Sequence, residues 1–184
     1  MLSIFREMGA LCINADRIVA DLLEDPEVLR KIKETAGDSV FEEEKLSKKK
    51  LAGLIFTSPE MRGMVEGIIH PLAIKEINKI LSENSGAFPI AVVEIPLLYE
   101  KGYEGMFDRV ITVFVDEKTA LARLMAQGIP PASVRQRLSV QMPLLQKVAR
   151  ADYVINNQGG IEETKWQAER IFEELSQLKT IREK

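Results

Sequence analysis

The sequence predicts an α/β fold built on a parallel sheet that helices cover on both faces. Three continuous apolar runs, at residues 90–93, 110–115 and 153–155, are separated by stretches of helical spacing. Apolar runs of this kind are typical of strands buried on both faces, as in parallel sheets. A fourth apolar run, at residues 10–13, follows a helical pattern that ends at Gly9, and we interpret it as a further strand.

Helical patterns connect these strands. Asp16 is expected to cap the helix after the fourth run, and Pro26 to begin a second short helix. Pro59 opens a long helical pattern that contains His70 and Pro71. Since proline lacks the backbone N–H that a helix interior needs, we expect a kink or break there. The remaining helices are predicted over residues 118–127, as a polar pair across residues 131–150, and over residues 162–178.

Composition and charge argue against several classes of protein. Apolar residues make up 46% and charged residues 29% of the chain, which is ordinary for a soluble globular protein. The formal net charge of −3 gives no basic surface for nucleic acid. No stretch reaches the roughly 20 apolar residues that span a bilayer, and residues 1–16 lack a signal-peptide pattern. The single cysteine, Cys12, fits a reducing environment, so we expect a cytoplasmic protein.

Five segments lie in order along the chain: GALCINAD (9–16), KKKLAGLIF (48–56), His70-Pro71-Leu72, VVEIPLLYE (92–100) and QMPLLQKVARADYVINNQG (141–159). They resemble motifs of the dephospho-CoA kinases. No one of them is decisive, but together they span nearly the whole chain at compatible spacing. The first departs from the family's Asp-Ala-Asp, because Asn14 replaces the first aspartate while Asp16 matches the second. The fourth has Glu94 in place of the family's aspartate.

The resemblance implies a fold, a reaction and ligands. The fold would be a three-layer parallel sheet of the P-loop nucleoside-monophosphate-kinase type, within a single kinase-like domain. The reaction would transfer the ATP γ-phosphate, with Mg²⁺, to the 3′-hydroxyl of dephospho-CoA, the last step of coenzyme A synthesis. The partners would be small molecules only, while the oligomeric state stays open. The expected parts are a core of residues 1–16, 87–128 and 141–184, a helical acceptor-binding insertion at about 17–86, and a lid at about 129–140.

One element of that family pattern is not in the sequence. Members carry a Gly-x-x-x-x-Gly-Lys-Ser/Thr loop, whose backbone amides cradle phosphates, after the first strand. Residues 1–184 contain no such loop. We therefore expect the first strand and its loop to lie upstream of Met1, and a chain without them to be destabilised. Two alternatives remain open: a non-catalytic protein that binds CoA-like ligands, and another small-molecule kinase of the same fold.

The resemblance assigns roles to the carboxylates that end two strands. Asp16 would accept the proton from the ribose 3′-hydroxyl, although the same residue is also a good helix cap. Glu94 would take part in cofactor binding by orienting Mg²⁺ through water rather than as a direct ligand. It could equally anchor the turn that follows it by hydrogen bonds.

Further candidates surround the expected substrates. His70, Pro96 and Leu97 would contact dephospho-CoA, although a lone histidine before proline is often structural. Asn157, in the turn after the last strand, would contact the adenine of ATP. Two lid arginines would close on the transferring phosphates, with Arg137 as the catalytic residue and Arg135 as a nucleotide-binding residue.

Overall fold

The computed structural model describes residues 1–128 and 139–182, with side chains as far as residue 178. The chain divides into two compact units, one formed by Met1–Leu11 with Ile95–Lys184 and the other by Cys12–Glu94. The second unit contains the insertion predicted at residues 17–86. No helix within the described ranges combines the length and the apolar character that a membrane crossing requires.

The predicted α/β class is confirmed, and each predicted strand forms close to its expected position. The described helices are α1 (Leu2–Glu7), α2 (Ala15–Leu22), α3 (Pro26–Ala36), α4 (Lys48–Thr57), α5 (Pro59–Glu83), α6 (Glu117–Ala126), α7 (Leu144–Arg150) and α8 (Ile161–Arg182). The described strands are β1 (Leu11–Asn14), β2 (Phe41–Glu42), β3 (Lys45–Leu46), β4 (Ala91–Glu94), β5 (Ile111–Phe114) and β6 (Tyr153–Asn156). They pair as β1 with β4, β2 with β3, and β5 with β6.

A cluster of aliphatic side chains holds the Cys12–Glu94 unit together. Its members come from α3, α4, α5 and the turn before β2, and each is at most 7% exposed. Ile32 is fully buried, so truncating it would leave a cavity that costs several kcal/mol, about 2–5 for Ile to Ala. The buried members are Val28, Ile32, Val40, Leu51, Val65 and Ile69.

The prediction of a break at Pro71 is wrong, because α5 runs without interruption from Pro59 to Glu83, whereas a kink there stays a prediction. Its buried residues, which include Ile69 and Ala73 on either side of the proline, recur at helical spacing and pack into the core. Pro71 itself lies on the exposed face. Water can satisfy the carbonyl that loses its partner there, and the packing of the buried face favours continuation of the helix.

The expected cap of α2 is also corrected. The N-cap is Asn14, whose side chain accepts a hydrogen bond from the Arg17 N–H at 2.9 Å. Asp16 instead lies in the first turn of the helix. Asparagine and aspartate cap equally well, so the strand's end, which lies one residue later than predicted, decides which of the two takes the position.

The hairpin formed by β2 and β3 was not predicted. Its two-residue turn is Glu43-Glu44, with φ of 48° and 65°. A tight hairpin turn needs left-handed backbone at both central residues, and Asn-Gly is the usual choice. Two glutamates give no such signal, so the sequence pattern reads as a charged stretch.

The other unit contains a parallel strand pair. Strand β5 runs parallel to β6, with Ile111 opposite Tyr153 and Phe114 opposite Asn156. Ile155 is fully buried on the face that α8 covers, whereas Val154 on the opposite face is 40% exposed. One face of β6 is thus covered rather than both.

Candidate functional site

Asn14 connects the ends of strands β1 and β4. Its Oδ1 caps α2, and its Nδ2 donates a hydrogen bond to Oε1 of Glu94 at 2.8 Å. The same amide therefore fixes the start of a helix and the carboxylate that ends the neighbouring strand. In the sequence, Asn14 stands out only as a departure from the family's motif. The signal for this contact is that a polar residue directly follows the apolar run at residues 10–13.

Asp16 and Glu94, the two predicted carboxylates, both belong to this edge of the β1–β4 pair. Asp16 is exposed in the first turn of α2, where the aligned peptide dipoles favour a negative charge. Glu94 is exposed at the last position of β4. The structure therefore brings Glu94 into contact with Asn14 and places Asp16 two residues along the chain from that contact.

This edge has the chemistry to hold Mg²⁺ indirectly. Magnesium prefers oxygen ligands and retains several of its waters, so one or two exposed carboxylates are suitable partners. Among the described residues, no group of three or more His, Cys, Asp or Glu side chains is arranged to enclose a metal ion. The exposed carboxylate of Glu94 is one group here that could bind a hydrated ion through its water ligands.

Asn157, predicted to contact adenine, follows β6 in the other unit. Its N–H donates to the Phe114 carbonyl at 2.7 Å, and its Oδ1 accepts a hydrogen bond from Oγ1 of Thr164 at 3.0 Å. Thr164 is 1% exposed, so this hydroxyl anchors the asparagine from inside the protein. The side-chain oxygen is thus committed to the fold.

Arg123, on α6, holds the turn that contains Asn157. Its guanidinium donates to the carbonyl oxygens of Asn157 at 2.6 Å, Gln158 at 3.3 Å and Gly159 at 3.3 Å. A planar fork of donors suits three successive carbonyls better than a lysine ammonium would. The sequence carried no signal for this contact, because an arginine on a predicted surface helix is ordinary.

Asp116 supports the same turn from the N-cap of α6. Its carboxylate accepts hydrogen bonds from the Thr119 N–H at 2.8 Å, from Oγ1 of Thr119 at 2.7 Å and from Nε2 of Gln158 at 2.6 Å. These bonds, chiefly those from Thr119, lower the pKa of Asp116 from 3.8 to about 2. The carboxylate is therefore charged throughout the physiological range.

Pro96 and Leu97 lie in the segment that follows β4, which belongs to the unit that contains Ile95–Lys184. Pro96 is exposed and Leu97 is half-buried. The carbonyl of Pro96 accepts a hydrogen bond from Nζ of Lys147 at 3.1 Å. Lys147 is also paired with Glu100, at 2.8 Å from Nζ to Oε1.

His70 lies half-buried near the middle of α5, in the Cys12–Glu94 unit. Arg135 and Arg137 lie outside the described residues.

Comparisons with known proteins agree on one family. The family model described as dephospho-CoA kinase matches residues 1–163. A dephospho-CoA kinase of Aquifex aeolicus is 34% identical over 174 residues, which is 94% of this chain and 88% of the relative. One of Enterococcus faecalis is 35% identical over 177 residues, covering 95% of this chain and 89% of the relative.

Solved structures show the same fold. A crystal structure of a Thermus thermophilus protein superposes with a TM-score of 0.80 at 28% identity, covering 92% of this chain and 86% of that one. A dephospho-CoA kinase from Campylobacter jejuni superposes with a TM-score of 0.64 at 24% identity, covering 95% and 89% of the two chains. With the family match over residues 1–163 and relatives of this identity and coverage, the chain belongs to the dephospho-CoA kinase family.

Proposed function

We propose that this chain transfers the γ-phosphate of ATP to the 3′-hydroxyl of dephospho-CoA, producing coenzyme A and ADP. Membership of the family supports the reaction. The observation that carries the site is the hydrogen bond from Asn14 to Glu94, because it fixes two strand ends beside Asp16. The carboxyl ends of strands are where open α/β sheets bind ligands. The lone cysteine and the formal net charge of −3 fit a cytoplasmic enzyme of small molecules.

Asp16 is the proposed general base. Its exposed carboxylate accepts the proton that leaves the 3′-hydroxyl as the oxygen attacks the γ-phosphorus. The helix that begins at Ala15 holds the carboxylate in place, since Asn14 caps this helix.

Glu94 is the proposed holder of Mg²⁺ through water. When bound, Mg²⁺ neutralises charge on the phosphates of the nucleotide. The amide of Asn14 fixes one oxygen of Glu94, and the other oxygen can accept hydrogen bonds from the water ligands of the ion.

The proposed adenine contact is the turn at Asn157. Its Oδ1 accepts a hydrogen bond from Thr164, which orients the side chain, and the side-chain NH₂ and the backbone of the turn are proposed to recognise the base. Residues 1–184 contain no Gly-x-x-x-x-Gly-Lys-Ser/Thr loop. The β-phosphate cradle is therefore not assigned to them. Arg137 and Arg135 are proposed to neutralise charge on the transferring phosphates. His70, Pro96 and Leu97 are proposed to contact the acceptor.

The test combines turnover with binding. ADP release would be followed with ATP, Mg²⁺ and dephospho-CoA, and dephospho-CoA binding would be measured by calorimetry. Asp16→Asn should lose about 10²–10⁴-fold in kcat, as expected for removal of a general base, while dephospho-CoA still binds. Asp38→Asn is the matched control, because Asp38 is an exposed aspartate that pairs with Lys33. Equal turnover by Asp16→Asn and the wild type would remove Asp16 from the chemistry.

A second candidate function is a non-catalytic protein that binds dephospho-CoA or CoA. The observation that favours it is the absence of the glycine-rich loop from residues 1–184. Dephospho-CoA binding without any ADP release by the wild type would support this candidate. If the wild type neither binds dephospho-CoA nor releases ADP, both functions are contradicted.

A further inference from the structure

A nearly buried ion pair, formed by Lys147 and Glu100, contacts the segment that carries Pro96 and Leu97. Nζ of Lys147 is 2.8 Å from Oε1 of Glu100, and the two side chains are only 12% and 13% exposed. The same ammonium donates to the Pro96 carbonyl at 3.1 Å. Lysine and glutamate are seldom so deeply buried unless they are paired, so this contact is unlike the exposed ion pairs on the helix surfaces.

The pair joins segments that are distant in sequence. Oε1 of Glu100 also accepts a hydrogen bond from the N–H of Met142 at 2.6 Å. The carbonyl of Lys147 accepts a hydrogen bond from Oγ1 of Thr112, in strand β5, at 3.4 Å. The two charged side chains thus connect the segment after β4 with the residues before α7, and the backbone of Lys147 adds a contact to β5, all within one compact unit.

The electrostatics favour a role in positioning. Burial alone would raise the pKa of Glu100, but the hydrogen bonds from Lys147 and from the Met142 N–H outweigh it and leave the pKa below its ordinary value of 4.5. A buried ion pair seldom stabilises a fold more than a well-packed apolar pair of the same size. A charged pair can instead fix the position of the backbone around it, because both the ammonium and the carboxylate are bonded to particular backbone groups.

We propose that Glu100 and Lys147 are positioning residues that hold the 95–103 segment in the conformation that receives the acceptor. Lys147 fixes the backbone at Pro96, and Glu100 fixes Met142. Within the segment, the Lys101 N–H donates to the Leu97 carbonyl and the Tyr103 N–H donates to the Leu98 carbonyl. These bonds make the segment one compact turn. The link to the acceptor rests on the proposed function, whereas the positioning of the backbone does not.

Hydrogen exchange of the free protein tests the positioning directly. Lys147→Met removes the charge and keeps the length of the side chain. We expect exchange at the amides of Lys101, Tyr103 and Met142 to become about tenfold faster or more, while Asn157, bonded to Phe114 in the same unit, keeps its rate. Lys31→Met is the matched control, because Lys31 forms an exposed i,i+4 pair with Glu27.

The double variant Glu100→Gln with Lys147→Met keeps the test valid if the single variant fails to fold. It leaves no unpaired buried charge, yet it still lacks the donor to Pro96. We expect it to fold and to show the same faster exchange at Lys101 and Tyr103. Unchanged exchange in this folded double variant overturns the proposal.

Binding of dephospho-CoA tests the link to the acceptor. The double variant should bind it about tenfold or more weakly, since small displacements of a binding segment are costly, while ATP affinity stays within about twofold. Lys147→Arg should retain most of the affinity because it can still donate to both partners. Faster exchange with unchanged dephospho-CoA affinity overturns the link to the acceptor. A wild type that does not bind dephospho-CoA contradicts the proposed function alone, and exchange then decides the positioning.

Discussion

The amide of Asn14 donates to the carboxylate of Glu94 at 2.8 Å, across the ends of two paired strands. The other end of the same amide caps α2. A single short side chain therefore couples the start of a helix to the position of a candidate magnesium-orienting group. Since Asp16 lies in the first turn of that helix, a change at Asn14 affects both carboxylates.

Asn14→Asp should make the stability of the protein depend on Mg²⁺. Aspartate still caps the helix, but it cannot donate to Glu94, and two carboxylates then face each other. We expect the free energy of unfolding to fall by about 1 kcal/mol without Mg²⁺ and to recover when the ion is added. Urea denaturation with and without Mg²⁺ measures both effects.

Asn14→Ala is the comparison for that experiment. It removes the cap, which costs about 1 kcal/mol, without adding a charge. Its decrease in the free energy of unfolding should be the same with and without Mg²⁺. A similar response of the two variants to the ion would count against a magnesium-orienting role for Glu94.

Arg123→Lys should weaken nucleotide binding through the turn at Asn157. A lysine cannot hold three successive carbonyls, so the turn loses its shape while Thr164 still anchors Asn157. We expect ATP affinity to fall about tenfold and dephospho-CoA affinity to stay constant, both measured by calorimetry. Arg30→Lys, at an exposed pair with Glu34, is the control. Unaltered ATP affinity would separate this turn from the nucleotide site.

Asp116 should contribute to acid sensitivity. Its pKa is lowered from 3.8 to about 2 in the folded protein, so the folded state favours the charged form. The resulting stabilisation is complete above the unfolded pKa and is lost as the pH falls from about 4 to about 2. Thermal melts of the wild type and of Asp116→Asn between pH 6 and 2 should therefore converge at low pH. Parallel curves over that range would rule out this contribution.

Pro71→Ala should stabilise the protein. Proline in a helix interior is disfavoured by up to about 3 kcal/mol relative to alanine, and Pro71 is exposed, so we expect its loss to cost little packing. Part of the gain is offset because alanine makes the unfolded chain more flexible. We expect an increase of about 1–2 kcal/mol in the free energy of unfolding, measured in urea. A decrease would mean that the ring itself packs against its neighbours.

The strands and most helices were predictable because local pattern decides them. Ile111–Phe114 and Ala91–Glu94 form where the apolar runs are, and Gly9, with φ of 88°, ends α1 as expected. The cap at Asn14 was missed because Asp16 is an equally good capping residue and only the strand's end decides between them. The break predicted at Pro71 does not occur, because the packing of a whole helix face outweighs one lost hydrogen bond.

The parts of the site that depend on tertiary contacts were not predictable. Asp16 and Glu94 became candidates because the resemblance to the family matches their positions near the ends of apolar runs, and their roles stay predictions. Arg123 could not, because its partners are carbonyls some 34 to 36 positions away and any residue type supplies a carbonyl. The Glu100–Lys147 pair could not be predicted either, because its two residues lie far apart in the sequence. A charged residue next to apolar ones gives no sign of whether it is solvated or enclosed.

The turn Glu43-Glu44 offers a point of entry for labelling. Both residues are exposed, and both hold left-handed backbone that glutamate disfavours. Loop tips of this kind tolerate added residues well. A short fluorogenic tag placed between the two glutamates should release the conformational strain and report on the surrounding helices. An insertion at this turn leaves Asn14, Asp16 and Glu94 in their native sequence, so the protein can carry a label without a change at the candidate site.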